Sequence, residues 1–192
     1  MTSVHTQSSG ERELAPPRRI SVVGTCGSGK TTVGREIAAR LGIPFLELDA
    51  LAWLPEWVSR PTEELRSLVE ERTRDPAWVV DGNRGVVRDL VWTRADTVVW
   101  LDYPFRRVFT QLLRRTILRV VCREELWNGN RESWRTSFFS RDSILLWAIR
   151  THRRRKREYP ELLARPENAH LTVIRLRSPA ETRRWLATLG HR

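Results

Sequence analysis

The sequence predicts an α/β fold in which helices cover both faces of a doubly wound parallel sheet. Short runs rich in β-branched residues alternate with helical patterns along the chain, as is typical of parallel strands joined by helical crossovers. A chain of 192 residues is most simply one domain with a substantial core. There are no internal repeats that would indicate a different architecture.

Five short apolar runs are expected to form the buried strands of this sheet. They are "RISVV" at 19–23, "FLEL" at 45–48, "AWVV" at 77–80, "TVVWL" at 97–101 and "LTVIRL" at 171–176. Helical patterns lie between and after them. These patterns are 30–42, closed by Gly42; 62–75, behind a Thr62 cap; 104–121, opening at Pro104; the basic stretch 143–159; and 179–190.

Residues 1–17 are expected to form a disordered tail, because they are polar, rich in Ser and Thr, and end in Pro16 and Pro17, which disfavour regular structure. This stretch has no apolar signal core, and no run in the chain approaches the ~18–20 apolar residues of a membrane span. The two cysteines, Cys26 and Cys122, have neither metal-ligand spacing nor a disulfide framework. We therefore expect a cytoplasmic protein whose single domain spans 18–192.

The excess positive charge is confined to one segment, 106–157, which is called the basic segment below. It holds 15 Arg or Lys and 4 Asp or Glu, so it carries the whole net charge of +11. A local excess of this kind predicts a site for something anionic rather than a uniformly basic surface. The rarity of lysine is a separate feature: Lys30 and Lys156 are the only two in the chain.

The stretch "GTCGSGKT" at 24–31 satisfies the phosphate-loop pattern G-x-x-x-x-G-K-[ST] in full, after a predicted strand and at the start of a predicted helix. Backbone N–H groups in such a loop turn toward phosphate oxygens, and the helix N-terminus adds positive potential. The predicted nucleotide-binding residues are Gly24, Thr25, Cys26, Gly27, Ser28, Gly29, Lys30, Thr31 and Thr32. A flexible ammonium at Lys30 can thread under the loop where a planar guanidinium aims differently.

Acidic residues follow the next three predicted strands: Asp49, Asp81 and Asp102. The carboxyl ends of parallel strands share one edge of the sheet, where ligands bind. Each Asp could equally cap the following helix, yet three caps beside a phosphate loop are a less economical explanation. We expect Thr31 and Asp81 to hold Mg²⁺, with Asp102 as the competing candidate.

These residues resemble the nucleoside monophosphate kinases of the adenylate-kinase-like superfamily, through the loop, "DGN" at 81–83 and the Arg-rich insert before the last strand. "LDALAW" (48–53), "WVVDGN" (78–83), "LWNGNRE" (126–132) and "WAIRTHRRR" (147–155) are similar to the bacterial topology-modulation-protein group of small kinases. The resemblance, over about 18–190, implies the P-loop kinase fold with sheet order 2-3-1-4-5 and a mobile lid at 106–157. It matches Asp81 and Gly82 to the family's "DGFPR", but the chain continues with Asn83-Arg84-Gly85, which leaves AMP in doubt as the acceptor.

The basic segment and the second strand end supply candidates for catalysis and acceptor binding. Phosphoryl transfer depends on charge neutralisation and alignment, which arginines in a closing lid provide. We expect Arg119, Arg131, Arg150 and Arg154 to act in this way, although a solvated helix face is the ordinary role of a single Arg. The acceptor site is expected at Asp49, as hydrogen-bond acceptor or general base, with Trp53, Gly82 and Arg84. Arg177 would border the donor base.

The sequence thus predicts a kinase that transfers the terminal phosphate of ATP, with Mg²⁺, to a nucleotide-like or small hydroxyl acceptor, as a monomer or homodimer. The alternative is a nucleic-acid-binding protein regulated by NTP, because Trp127, Trp134 and Trp147 interleave with the arginines. No single-strand-binding or helix-turn-helix pattern supports that alternative. A GTPase is disfavoured because the chain has no N-K-x-D motif.

Overall fold

The five predicted strands form one parallel sheet in a computed structural model that describes residues 17–132 and 144–190. The strands are β1 Arg19–Gly24, β2 Phe45–Glu47, β3 Trp78–Asp81, β4 Thr97–Leu101 and β5 Thr172–Leu176. Their order across the sheet is β2-β3-β1-β4-β5, and every neighbouring pair is parallel. This confirms the predicted fold class and sheet order.

Seven helices are described between and after these strands. They are α1 Lys30–Leu41, α2 Leu48–Ala52, α3 Thr62–Arg72, α4 Gly85–Arg94, α5 Phe105–Val121, α6 Ile144–Leu163 and α7 Pro179–Ala187. The sequence analysis named no helix at α4. Thr62 is the first residue of α3 and makes no capping bond, contrary to its predicted role as a cap. Gly42 does end α1, in the left-handed conformation.

The helices pack in two layers, because successive side chains of each strand point to opposite faces of the sheet. In β4, Val98 and Trp100 belong to one core cluster, while Val99 and Leu101 belong to the other. The first cluster is closed by α3, α4 and Tyr159 of α6, and the second by α1, α7 and Val108 of α5. Because all five strands are parallel, the loops that follow them lie at one edge of the sheet, at the carboxyl ends of the strands.

Three sequence predictions lie wholly or partly outside the described residues. These are the tail at 1–17, of which only Pro17 is described, the centre of the basic segment at 133–143, and the side chains of Trp134 and Trp147. Within 17–132 and 144–190, no helix combines the length and apolar character needed to cross a membrane.

Candidate active site

The phosphate loop leaves β1 at Gly24 and enters α1 at Lys30, so it lies at the carboxyl edge of the central strand. Its backbone approaches other elements closely. A Cβ at Gly27, where φ is +86°, would lie 2.7 Å from Leu112 Cβ and 2.8 Å from the Val108 carbonyl. A side chain at this position would thus push the loop off α5, which explains the glycine.

The loop side chains are arranged around the first turn of α1. Lys30 Nζ donates to the Thr25 carbonyl at 3.4 Å. The Ser28 hydroxyl is buried and has no hydrogen-bond partner among the described residues. Buried hydroxyls without partners are uncommon, and this one lies against Gly24 on the inside of the loop. Thr32 is exposed on the outer side of the turn.

Asp81 is the carboxylate that meets the loop. The Thr31 hydroxyl donates to Asp81 Oδ2 at 2.5 Å, and Asp81 Oδ1 is buried with no partner in the described part of the chain. Burial raises the pKa of Asp81 above its ordinary value, while the charge of Lys30 and the hydrogen bond from Thr31 oppose that shift. A free carboxylate oxygen beside a threonine hydroxyl suits Mg²⁺, which prefers oxygen ligands and keeps several waters and phosphates.

Asp102, the competing candidate for the metal, forms an ion pair with Arg175 instead. Its carboxylate accepts from Arg175 Nε at 2.9 Å and from Arg175 Nη2 at 2.5 Å, and its side chain is 6% exposed. Arg175 also lies over the Trp100 ring, with 4.4 Å from Cζ to the centroid. The geometry therefore favours Asp81 over Asp102 as the metal partner. Among the described residues no cluster of three or more His, Cys, Asp or Glu could hold a metal alone.

The predicted acceptor residues are brought together at the end of β2. Arg84 Nε lies 3.3 Å from Asp49 Oδ1, and its guanidinium lies over Trp53 with 4.7 Å from Cζ to the ring centroid. Asp49 is inside α2, and Trp53 directly follows that helix. Gly82 lies beside Leu48, and a larger residue would clash there because its Cβ would lie 2.8 Å from Leu48 Cβ. Trp53 is half-buried rather than sealed in the core.

Two further tryptophans extend this corner, and the sequence analysis did not assign them to it. The ring centroids of Trp53 and Trp57 are 5.6 Å apart, and those of Trp57 and Trp127 are 6.4 Å apart. A turn of the basic segment holds them, since Asn130 Nδ2 donates to the Leu54 carbonyl at 2.9 Å and Trp57 N donates to Asn130 Oδ1 at 2.8 Å. The turn at 127–130 therefore packs against the acceptor side.

Glu47, at the end of β2, is another acidic residue that the sequence analysis missed. It pairs in register with Asp81 and lies 3.2 Å from Arg35. Burial is the main cause that raises the pKa of Glu47, and the nearby Asp81 adds to it. The strand-end signal pointed past Glu47 to Asp49 because β2 was predicted to run to Leu48, whereas Glu47 is the last residue of β2 in the structure.

The predicted lid arginines lie in different environments. Arg119 is mostly buried and pairs with Glu132 at 3.3 Å, whereas Arg131 is exposed and pairs with Glu125 at 3.3 Å. Arg150 is exposed, and Arg154 is exposed and pairs with Glu158 at 3.3 Å. The ion pairs given for Arg119, Arg131 and Arg154 are all to glutamates outside the phosphate loop.

Two other arginines of the basic segment lie beside the loop instead. Arg115 Nη2 lies 3.5 Å from Cys26 Sγ, and Arg155 Nη1 donates to the Gly24 carbonyl at 3.5 Å. Arg155 is buried, which lowers its pKa. It lies on the same face of α6 as Tyr159 one turn further on, which is buried as well.

Arg177 is exposed directly after β5, and its backbone N–H donates to the Glu181 carboxylate at 2.7 Å. It borders an open cleft of about 330 Å³ together with Asp102, Pro104, Lys156 and Arg175. The cleft lies at the same sheet edge as the phosphate loop, beyond β4.

A sheet of order β2-β3-β1-β4-β5 with the phosphate loop after β1 is the fold of the P-loop kinases. Residues 20–81, from β1 through Asp81, match the model of the ATPase family associated with various cellular activities (AAA). That match covers less than half of the chain.

Curated relatives share part of the sequence. The chain is 33% identical over 107 residues to a shikimate kinase of Ruegeria pomeroyi, which is 43% of this chain and 55% of that enzyme. It is 36% identical over 104 residues to a shikimate kinase of Halorhodospira halophila, covering 46% and 58% respectively. The alignments thus span little more than half the length of these relatives.

A solved structure supports the fold over nearly the whole chain. A shikimate kinase from Acinetobacter baumannii in complex with shikimate superposes with a TM-score of 0.57 at 18% identity, covering 90% of each chain. At this identity the likeness concerns the fold, which is the P-loop kinase fold.

Proposed function

We propose that the protein is a small ATP-dependent kinase that transfers the terminal phosphate to a hydroxyl of a small acceptor, a nucleotide-like molecule included. The carrying observation is that Thr31, Asp81 and the Asp49–Arg84 pair lie at one edge of the sheet beside a complete phosphate loop. This edge offers a donor site, a metal site and an acceptor site next to one another. The partial match to shikimate kinases supports the same class.

Each part of the site has a separate task in this proposal. The loop N–H groups and Lys30 bind the donor phosphates and neutralise their charge. Thr31 and Asp81 would hold Mg²⁺, which would neutralise phosphate oxygens during transfer. Asp49 accepts a hydrogen bond from the acceptor hydroxyl, and Arg84 attracts an anionic group of the acceptor or fixes the Asp49 carboxylate. Trp53 contacts the body of the acceptor.

The basic segment is proposed as a lid that excludes water from the donor phosphates. Arg119, Arg131, Arg150 and Arg154 are proposed to reach the phosphates when the segment closes; the first, second and fourth are paired with glutamates in this structure. Arg115 and Arg155 already lie beside the phosphate loop. Arg177 is proposed to border the donor base at the open cleft.

A cytoplasmic location and membership of the topology-modulation-protein group are parts of this proposal that rest on the sequence alone. The nucleic-acid-binding alternative is not favoured. Of its three tryptophans, Trp127 is half-buried and packs against Trp57 in the acceptor corner, with the two rings nearly perpendicular.

A screen for acceptor-dependent ADP release tests the proposed function. Nucleosides, nucleoside monophosphates, shikimate, gluconate and small alcohols would each be incubated with the protein, ATP and Mg²⁺. We expect at least one acceptor to raise ADP release well above the rate without acceptor, and Lys30→Met to abolish the increase. Failure of every acceptor, combined with no measurable binding of Mg·ATP, would contradict the proposal.

A further inference from the structure

Asn83 binds both backbone groups of the residue that opens the phosphate loop. Gly24 N donates to Asn83 Oδ1 at 3.1 Å, and Asn83 Nδ2 donates to the Gly24 carbonyl. The backbone ladder between β1 and β3 ends at Val22 and Asp81, and Gly82 N still donates to the Val22 carbonyl at 3.3 Å. The Asn83 amide thus continues the ladder by one step, with a side chain in place of a strand.

Tyr159 of α6 holds this amide through a further hydrogen bond to its oxygen. Its hydroxyl donates to Asn83 Oδ1 at 2.8 Å. The ring is 2% exposed and packs against Trp100 and Trp92, with centroid distances of 5.5 and 6.3 Å. The Gly24 N–H and carbonyl set the orientation of the amide, and the Tyr159 hydroxyl restrains its position as a second donor to Oδ1.

The same face of α6 contacts the loop at two more points. Arg155 Nη1 donates to the Gly24 carbonyl at 3.5 Å, and His152 Nδ1 lies 3.3 Å from Thr25 Oγ1. Positions 152, 155 and 159 share one helical face by their spacing. The Thr25 carbonyl in turn accepts from Lys30 Nζ. The entrance of the loop is therefore held from β3 and α6 together.

We propose that Asn83 and Tyr159 are positioning residues that fix the entrance of the phosphate loop and so aim its N–H groups at the phosphates of the donor. This inference rests on the proposed function, since it needs a nucleotide in the loop. Asn83 acts through the Gly24 backbone, and Tyr159 acts through Asn83. Rotation of Gly24 would change the direction of the following N–H groups, and small misplacements at such sites weaken both binding and transfer.

Nucleotide affinity of four variants tests this chain of contacts. The variants are Asn83→Ala, Tyr159→Phe, the double variant, and Tyr103→Phe. Tyr103 is a matched control, because it is a buried tyrosine whose hydroxyl bonds to Thr182 at 2.6 Å rather than to the loop. Dissociation constants for Mg·ATP and for adenosine would be measured by calorimetric titration and competition. Adenosine has the base and ribose but no phosphate for the loop to bind.

We expect Asn83→Ala to weaken Mg·ATP binding by roughly tenfold, since it leaves the Gly24 N–H without its side-chain partner and the Gly24 carbonyl with Arg155 alone. Tyr159→Phe should weaken it by about threefold, because the amide keeps its bonds to Gly24 but loses the hydrogen bond that restrains its position. The double variant should match Asn83→Ala, because the hydroxyl acts only through the amide. Adenosine affinity should stay the same throughout, and Tyr103→Phe should bind Mg·ATP like the wild type.

Three results would overturn the inference. Unchanged Mg·ATP affinity in Asn83→Ala and Tyr159→Phe would show that the link has no influence on the loop. Equal losses for Mg·ATP and adenosine would show general damage instead of positioning. Additive effects in the double variant would show that Tyr159 acts independently of Asn83. If Asn83→Ala does not fold, the difference in Mg·ATP affinity between Tyr159→Phe and Tyr103→Phe tests the inference by itself. A wild-type chain that does not bind Mg·ATP at all would overturn the proposed function as well, which separates that failure from the others.

Discussion

The Thr31 hydroxyl and the Asp81 carboxylate are joined by a 2.5 Å hydrogen bond, which links the first turn of α1 to the last residue of β3. The other carboxylate oxygen of Asp81 is buried and has no partner among the described residues. Asp102 differs in that it forms an ion pair, in which Arg175 donates to Asp102 Oδ2 through two nitrogens. The two acidic residues that the sequence could not rank are thus distinguished by their partners.

Substitution of these two carboxylates should affect catalysis very differently. We expect Asp81→Asn to lower turnover by about a hundredfold, because the metal loses its charged partner, while nucleotide binding without Mg²⁺ stays nearly intact. Asp102→Asn should keep most of the activity and lose roughly 1 kcal/mol of stability with its ion pair. Mg²⁺ titrations of ADP release with both variants measure this. The reverse pattern would transfer the metal role to Asp102.

The ionised Asp81 carboxylate should also lower the free energy of unfolding when no metal is present. Burial is the main cause that raises its pKa, against the lowering influence of Lys30 and Thr31. A raised pKa means that the folded chain holds this proton more tightly than the unfolded chain. The contribution of Asp81 to stability is therefore fully present below about pH 4, the ordinary value for Asp, and is lost as the pH rises through the raised pKa.

We accordingly expect Asp81→Asn to gain stability relative to the wild type as the pH rises from about 4 toward neutrality. The gain should be constant above the raised pKa. Urea denaturation in EDTA at a series of pH values measures the difference in the free energy of unfolding. A difference that moves the other way with pH would mean that Lys30 and Thr31 outweigh burial. Added Mg²⁺ should stabilise the wild type and not the variant.

The sequence predicted the sheet and the phosphate loop because both depend on local signals. A parallel strand buried on both faces is a short β-branched run, and the loop is a contiguous glycine pattern. Helix α4 was missed for the same reason: "GVVRDLVWTR" opens with glycine and two β-branched residues, which are weak helix formers. Tertiary packing of Val87, Val91 and Trp92 forms it instead.

The orientation of α6 could not be predicted from local signals. Arginines occupy positions 150, 153, 154, 155 and 157, so every face of the helix is basic. The inward face is chosen by Tyr159, which packs between the strand residue Trp100 and the α4 residue Trp92. Asn83 was passed over likewise, because its partners are 59 and 76 residues away in the chain.

Neighbouring arginines of α6 provide a matched test of this orientation. Arg155→Ala should weaken Mg·ATP binding by about tenfold, because the buried guanidinium donates to the Gly24 carbonyl at the entrance of the loop. Arg154→Ala removes an exposed side chain with an ion pair to Glu158 and should change little. Titration of both variants measures the contrast. A larger loss of Mg·ATP affinity in Arg154→Ala than in Arg155→Ala would instead support the sequence prediction that Arg154 reaches the phosphates when the lid closes.

Substitutions in the acceptor corner should impair phosphate transfer without weakening donor binding. Asp49→Asn and Trp53→Ala should impair transfer by at least about tenfold while sparing Mg·ATP affinity, because we propose that Asp49 binds the acceptor hydroxyl and that Trp53 contacts the body of the acceptor. Arg66→Ala is the control, since its bidentate pair with Asp89 lies on the surface of α3 and α4. Unfolding of Trp53→Ala with normal activity in Asp49→Asn would assign the corner to packing.

Lys30 should be irreplaceable by arginine, although arginine fills nearly every other basic position. Of 34 basic residues only Lys30 and Lys156 are lysine. Lys30 reaches back to the Thr25 carbonyl inside the loop, at 3.4 Å. A guanidinium there is broader and planar, so it would clash with the loop or push the terminal phosphate out of line. Misplacement on the order of 1 Å can cost about a hundredfold in rate, or roughly 2.7 kcal/mol of barrier.

The same substitution at Lys156 serves as the control for that prediction. Lys156 is exposed at an open cleft of about 330 Å³, where a guanidinium has room and keeps the charge. We expect Lys156→Arg to retain near-wild-type turnover and ATP affinity, and Lys30→Arg to lose turnover by about a hundredfold. If both variants behaved like the wild type, charge alone would explain Lys30, and the phosphate clamp would lose its physical basis.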